Sequence, residues 1–131
     1  METQAKKLIL SIFENIMQSS SLDIIEVEKY ISPDYVQFVD GVELNYSGFV
    51  EHIKKQKEVI QSLSVDFLSM AEEGDTIFTN HVVTATKKDG SIIRVKVIAQ
   101  FTIHDNRLVR CDELTHLLSG SHEDRDIGSR H

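Results

Sequence analysis

A chain of 131 residues with 40% hydrophobic and 27% charged residues has the make-up of one ordinary globular domain, large enough to bury a core without staples. Its formal net charge of −7 argues against nucleic-acid binding, whose affinity comes mostly from Lys and Arg on phosphates. No apolar run approaches the roughly 20 residues of a membrane span, residues Met1 to Lys7 lack the pattern of a secretory signal, and Cys111 has no internal disulfide partner, so a cytoplasmic protein is expected.

The first half is helical by its periodicity. Leu8, Ile9, Ile12, Phe13, Ile16 and Met17 form one apolar stripe, predicting a helix over about residues 3–18 that stops at Ser19-Ser20-Ser21. A second helix is predicted from a Ser20 or Ser21 cap to about Ile31, with Asp23 and Glu26 favouring its positive end. Past Pro33, residues 34–39 are aromatic and β-branched and read as a strand ending at an Asp40-Gly41 turn. Ser47 is the predicted cap of a third helix over about 48–61.

From Leu63 the period changes to two. Strands are predicted over about 63–72, 75–87, 92–104 and 107–117, separated by Glu73-Gly74, Asp89-Gly90 and Asp105-Asn106. Three helices before a meander of long strands predict an α+β fold, with the helices covering one face of a strongly curved mixed or antiparallel sheet. Residues 119–131 are polar apart from Ile127 and read as a terminal tail.

Two-residue turns at Asp89-Gly90 and Asp105-Asn106 imply a register in which Phe78, Phe101 and Arg110 share a row, as do Asn80, Ala99 and Asp112, then Val82, Val97 and Leu114, with Val95 facing His116. Ile93, Val95, Val97, Ala99, Phe101 and Ile103 are all apolar, which makes theirs the core face. Four polar residues, Asn80, Arg110, Asp112 and His116, are thereby expected on an apolar wall. A carboxylate there is subject to opposed influences, burial raising its pKa and a nearby Arg lowering it, a tension typical of acid/base groups. Plainer readings stand beside this one: Arg110 and Asp112 as a structural ion pair, His116 as a rim residue, and Asn80 satisfying a backbone group. No His or Cys cluster has the spacing of a metal site, and Cys111 reads as an outward, inert thiol.

Tyr30 to Gly41, Ser47-Gly48, Gly74-Asp75 and the ending Asp112-Glu113-Leu114-Thr115-His116-Leu117-Leu118, in this order of helices and strands, resemble the nuclear transport factor 2-like superfamily, and within it the SnoaL-like polyketide cyclases. The resemblance covers about residues 3–118 and implies a domain over 1–118 and a cone-shaped fold that carries isomerases, cyclases, epoxide hydrolases and plain binding proteins. It places Phe38 and Ala99 where the family's ketosteroid isomerases need two acids, which disfavours that reaction, and it marks Asp112 as the counterpart of the cyclases' general base.

The reading that follows is a homodimer whose pocket is lined by Phe13, Phe38, Phe67, Phe78, Val82, Val97, Phe101 and Leu114. Asp112 is the expected general acid/base, Arg110 and Asn80 orient it or hold an oxyanion, and Asp40 and His116 stand at the margin. The expected chemistry is cofactor-free and metal-free proton transfer next to a carbonyl on a small apolar molecule, as in cyclisation or isomerisation. A non-catalytic binding module and an epoxide hydrolase, in which carboxylates and an Arg activate water, are the alternatives. The second copy is expected on the outer sheet face, around Arg94, Lys96, Ile98, Gln100 and Thr102 with Ile77, His81, Val83, Val109 and Leu117.

Overall fold

The computed structural model describes residues 3–120; residues 1 and 2 and the expected tail from 121 onward lie outside the described residues. Helix α1 (Gln4–Ile12) is capped by Thr3, whose hydroxyl accepts from the Lys6 amide, and runs on into a wider π-helical turn at Phe13–Met17. The Gln18 amide closes that turn on the Phe13 carbonyl at 2.8 Å. The Lys57 ammonium donates to the carbonyls of Ile16 (2.8 Å) and Ser19, satisfying acceptors that the end of a helix leaves open.

Helix α2 (Ile24–Tyr30) starts at Asp23, whose carboxylate accepts from the Ile25 amide at 3.0 Å, rather than at Ser20 or Ser21. Strand β1 (Ile31–Val39) follows directly and turns through Asp40 and Gly41, both at positive φ, into a short β2 (Val42–Asn45), a strand that the residue pattern does not predict. Asn45, not Ser47, caps α3 (Tyr46–Val59) by accepting from the Gly48 amide at 2.9 Å. Strands β3 (Ile60–Glu73), β4 (Thr76–Lys87), β5 (Ile92–His104) and β6 (Arg107–Ser119) complete the chain.

The six strands form one sheet in the order β2-β1-β6-β5-β4-β3. It is mixed, because β1 runs parallel to β6 while the other neighbours are antiparallel. The helices pack on one face, and Ile9, Ile12, Phe13, Ile16, Val27, Ile53, Ile77, Ile93 and Val97 meet in the buried layer between. This is the α+β arrangement expected, except that the sheet stays open at β2 and β3 and forms no closed barrel.

The register differs from expectation at two places, and both invert the faces. Around Asp89-Gly90 the loop is three residues long: the Lys87 amide donates to the Ser91 carbonyl, and Gly90, at φ 92°, takes the left-handed position before the strand resumes. His81 therefore pairs with Val97, and Thr79 with Ala99. At Asp105-Asn106 the two-residue turn is as expected, both residues having positive φ and His104 facing Arg107, but a bulge then intervenes between Leu108 and Arg110. Beyond it Cys111 faces Phe101, Glu113 faces Ala99 and Thr115 faces Val97. One extra residue moves every later side chain to the opposite face.

Candidate functional site

A cavity of about 100 Å³ lies between the helices and the sheet, walled by apolar side chains from α1, α3 and the inner face of β4, β5 and β6. At roughly 10–15 Å³ per water-sized position it has room for a small organic molecule. The polar groups that reach it are few: Tyr35, Gln37, His52, Gln56, His81, Cys111, Glu113 and Thr115.

Glu113 stands on the inner face because the β6 bulge put it there, between Ala99 of β5 and Val39 of β1. Removal from bulk water pushes its carboxyl up to about 7, and the neighbouring Asp40 and Asp112 carboxylates add to the rise. Asp40, at the exposed β1–β2 turn, fixes this corner. It accepts from the Thr115 amide at 2.8 Å and from the Thr115 hydroxyl, while its own amide donates to the Glu113 carbonyl at 3.0 Å.

His81 is fully buried, with the Phe13 ring edge-on at 5.3 Å and the Phe67 ring tilted at 5.2 Å. Burial pulls its pKa down to about 4, so the imidazole is neutral at physiological pH. Its Nδ1 lies 2.9 Å from the Thr79 hydroxyl. On β1, the buried Tyr35 hydroxyl donates to Gln37 Oε1 at 3.0 Å, and burial pushes both the Tyr35 phenol and the Cys111 thiol well up, keeping them protonated. Chemically the cavity offers one carboxyl that titrates near neutrality, two imidazoles of which that of His81 is neutral, and uncharged hydroxyl, amide and thiol groups within mostly apolar walls.

The structure brings Phe13, Val97 and Phe101 to this cavity, and Phe67 meets the Phe13 ring edge-on. Asp40 sits at the margin by way of Thr115. The remaining expected residues stand elsewhere. Arg110, Asp112, Leu114 and His116 project from the outer face and are exposed, Leu114 at 67%. The bulge in β6 is the cause. Phe78, Asn80 and Val82 face outward because of the longer Asp89-Gly90 loop. Phe38 is on the outer side of β1, where the Arg110 guanidinium stacks over its ring at 4.5 Å, so Arg110 pairs with an aromatic face rather than with Asp112. Cys111 lines the cavity and is not outward. Glu113, His81, Thr115, Tyr35 and Gln37 were missed. Their signal was the opposite parity of β6, where Arg110, Asp112 and His116 crowd ionisable groups onto one face, as a solvated face does. Among the described residues no group of three or more His, Cys, Asp or Glu side chains is placed to hold a metal, and no helix is long and apolar enough to cross a membrane.

No family model matches the chain. An uncharacterised protein of Schizosaccharomyces pombe is 31% identical over 129 residues, which is 98% of each chain. Among solved structures, a protein of Jannaschia provisionally named a SnoaL-like polyketide cyclase superposes with a TM-score of 0.71 at 16% identity, over 87% of this chain and 86% of that one. An LEH-like epoxide hydrolase of M. tuberculosis gives 0.71 at 12% identity, over 86% and 82%. A nuclear transport factor 2-like protein of unknown function from Exiguobacterium gives 0.68 at 16% identity, over 82% and 97%.

Proposed function

We propose that the chain, whose fold is that of nuclear transport factor 2-like proteins, is a member of the SnoaL-like branch that binds a small uncharged carbonyl compound and moves a proton on it without a cofactor, Glu113 being the acting carboxyl. The observation that carries this reading is the place of Glu113: a carboxyl on the wall of an apolar cavity, raised to about 7 by that setting. Near neutral pH both of its protonation states are populated. It can take a proton from carbon next to a carbonyl and return it to another position, as cyclisation and isomerisation both require.

The role first given to Asp112 passes to its neighbour, since Asp112 is exposed on the outer face. Epoxide opening is less well supported: it calls for an Arg beside the acids, and Arg110 is engaged with Phe38 on the other side of the sheet. A non-catalytic binding module is the second reading, favoured by the predominance of apolar side chains in the cavity wall. Cyclohexanone in D2O separates the two, with exchange of its α-hydrogens followed by NMR. Parent protein is expected to catalyse the exchange, and Glu113→Gln to lose it by about 100-fold or more while still binding the ketone. Binding without exchange in the parent would leave the binding module as the account. Absence of binding would remove both.

A further inference from the structure

Abstracting a proton next to a carbonyl puts negative charge on the carbonyl oxygen, and a base alone does not stabilise it. The expected oxyanion groups, Arg110 and Asn80, are on the wrong face of the sheet. Resting on the proposed acid/base reading, we infer that His81, through its Nε2–H, is the hydrogen-bond donor that receives the carbonyl oxygen of an uncharged ligand, and that the Thr79 hydroxyl sets the imidazole for that task.

The argument begins with Thr79. It is 4% exposed, so its hydroxyl hydrogen has no bulk water to go to and needs an acceptor within the protein. His81 Nδ1, at 2.9 Å, is the acceptor at hand. If the hydroxyl donates there, Nδ1 carries no hydrogen, and the single hydrogen of the neutral ring sits on Nε2. The reverse arrangement, with Nδ1–H donating, leaves the Thr79 hydrogen unplaced. A neutral ring is what burial favours, and a neutral donor at an oxyanion avoids placing a cation in an apolar cavity.

Register supplies the geometry. His81, Val97 and Thr115 form one row on the inner face, and Thr79, Ala99 and Glu113 form the adjacent one. His81 and Glu113 are therefore diagonal across the middle strand, with backbones on the order of 10 Å apart at about 4.8 Å per strand spacing. Between them on the middle strand stand Val97, on the cavity wall, and the small Ala99, and a ligand lying over Val97 would have its carbonyl oxygen toward His81 and its adjacent carbon toward Glu113. Phe13 and Phe67, themselves in edge-on contact, both pack against the imidazole and restrict its rotation. Such a pair of heads selects for an uncharged molecule with a hydrogen-bond acceptor and against a carboxylate, which would meet Glu113 as a like charge.

Two measurements test this. Nitrogen-15 NMR of the imidazole in the free parent protein is expected to show the Nε2–H form, and Thr79→Val, which keeps the shape and removes the hydroxyl, should weaken that preference. An Nδ1–H ring in the parent would overturn the inference. Secondly, the infrared carbonyl stretch of cyclohexanone is expected to shift to lower frequency on binding the parent and Glu113→Gln, and to return toward its value in an apolar solvent in His81→Phe. His81→Phe should also bind cyclohexanone about three- to tenfold more weakly, with affinity for methylenecyclohexane unchanged. Thr79→Val stands in for His81→Phe if the latter does not fold. A bound ketone whose stretch is the same in parent and variants would sink the role of His81 while leaving the small-ketone reading intact. Failure of the parent to bind cyclohexanone would overturn that reading and this inference with it.

Discussion

Glu113 and His81 are displaced from their ordinary values in opposite directions, Glu113 from 4.5 up to about 7 and His81 from 6.5 down to about 4. Between pH 4.5 and 7 the folded Glu113 holds a proton that the unfolded chain has lost, so its contribution is complete below about 4.5 and disappears as pH rises through 7. His81 behaves conversely: unfolded, it is protonated below 6.5, so the folded state loses stability as pH falls from 6.5 toward 4. The two slopes oppose each other and hide one another in the parent. Urea unfolding across this range is therefore expected to show Glu113→Gln losing stability on acidification relative to the parent, and His81→Phe gaining it, each by up to about 3 kcal/mol. Variants whose pH profiles run parallel to that of the parent would show that neither group is displaced. Asp112→Asn, on the solvated face, is expected to change stability by no more than about 0.5 kcal/mol, and to lower the pH at which ketone exchange switches on, because one of the charges that raises Glu113 is gone. An exchange rate abolished by Asp112→Asn would return the chemistry to that residue.

At the scale of elements, the β1–β2 turn and the β6 bulge together make the site. Asp40 reaches from the turn to hold the Thr115 amide and hydroxyl, and Asp40→Ala is expected to cost about 1–3 kcal/mol in thermal or urea unfolding, since it leaves those donors unpaired at the rim. It also removes a charge that raises Glu113, so the exchange profile should move to lower pH. The three helices and four long strands were legible because periodicity is a property of neighbouring residues, and the Asp105-Asn106 turn because its φ requirement is written in its residue types. The short β2 was not: Val42 to Asn45 carry little pattern, and they become a strand only by pairing with Phe38 and its neighbours. Nor was the face of β6. That strand serves an antiparallel neighbour on one side and a parallel one on the other, and the bulge that reconciles it with both is a tertiary matter. Gly90 could have been read either as the second residue of a tight turn or as the third of a longer loop, and that single ambiguity decided whether Asn80 or His81 pointed inward.

For the whole molecule, the outer sheet face is the remaining open surface. Phe78, Ile98 and Leu114 are about half exposed or more on it, and Asn80 Oδ1 lies buried among them without a hydrogen-bond partner among the described residues. The expected self-association belongs here, centred on the Asn80, Ile98 and Leu114 row rather than on the inward Ile77, His81, Val83 and Leu117. Sedimentation of the parent is expected to give a dimer at micromolar concentration and of Leu114→Lys a monomer; a monomeric parent would refute the arrangement. The sheet also has a bearing on how anything enters the cavity. Its floor is β4, β5 and β6, each hydrogen-bonded on both sides, whereas its roof includes a π-helical turn held at its end by Lys57 and by the Gln18 side chain, which accepts from the Val65 amide. Amides of Thr79, Val97 and Glu113 should thus exchange with deuterium only at the rate of global unfolding, and those of the Phe13–Met17 turn long before. On the proposed reading the chemistry rests on the most hydrogen-bonded layer of the molecule, and the helices above it are the part expected to give way to an entering guest.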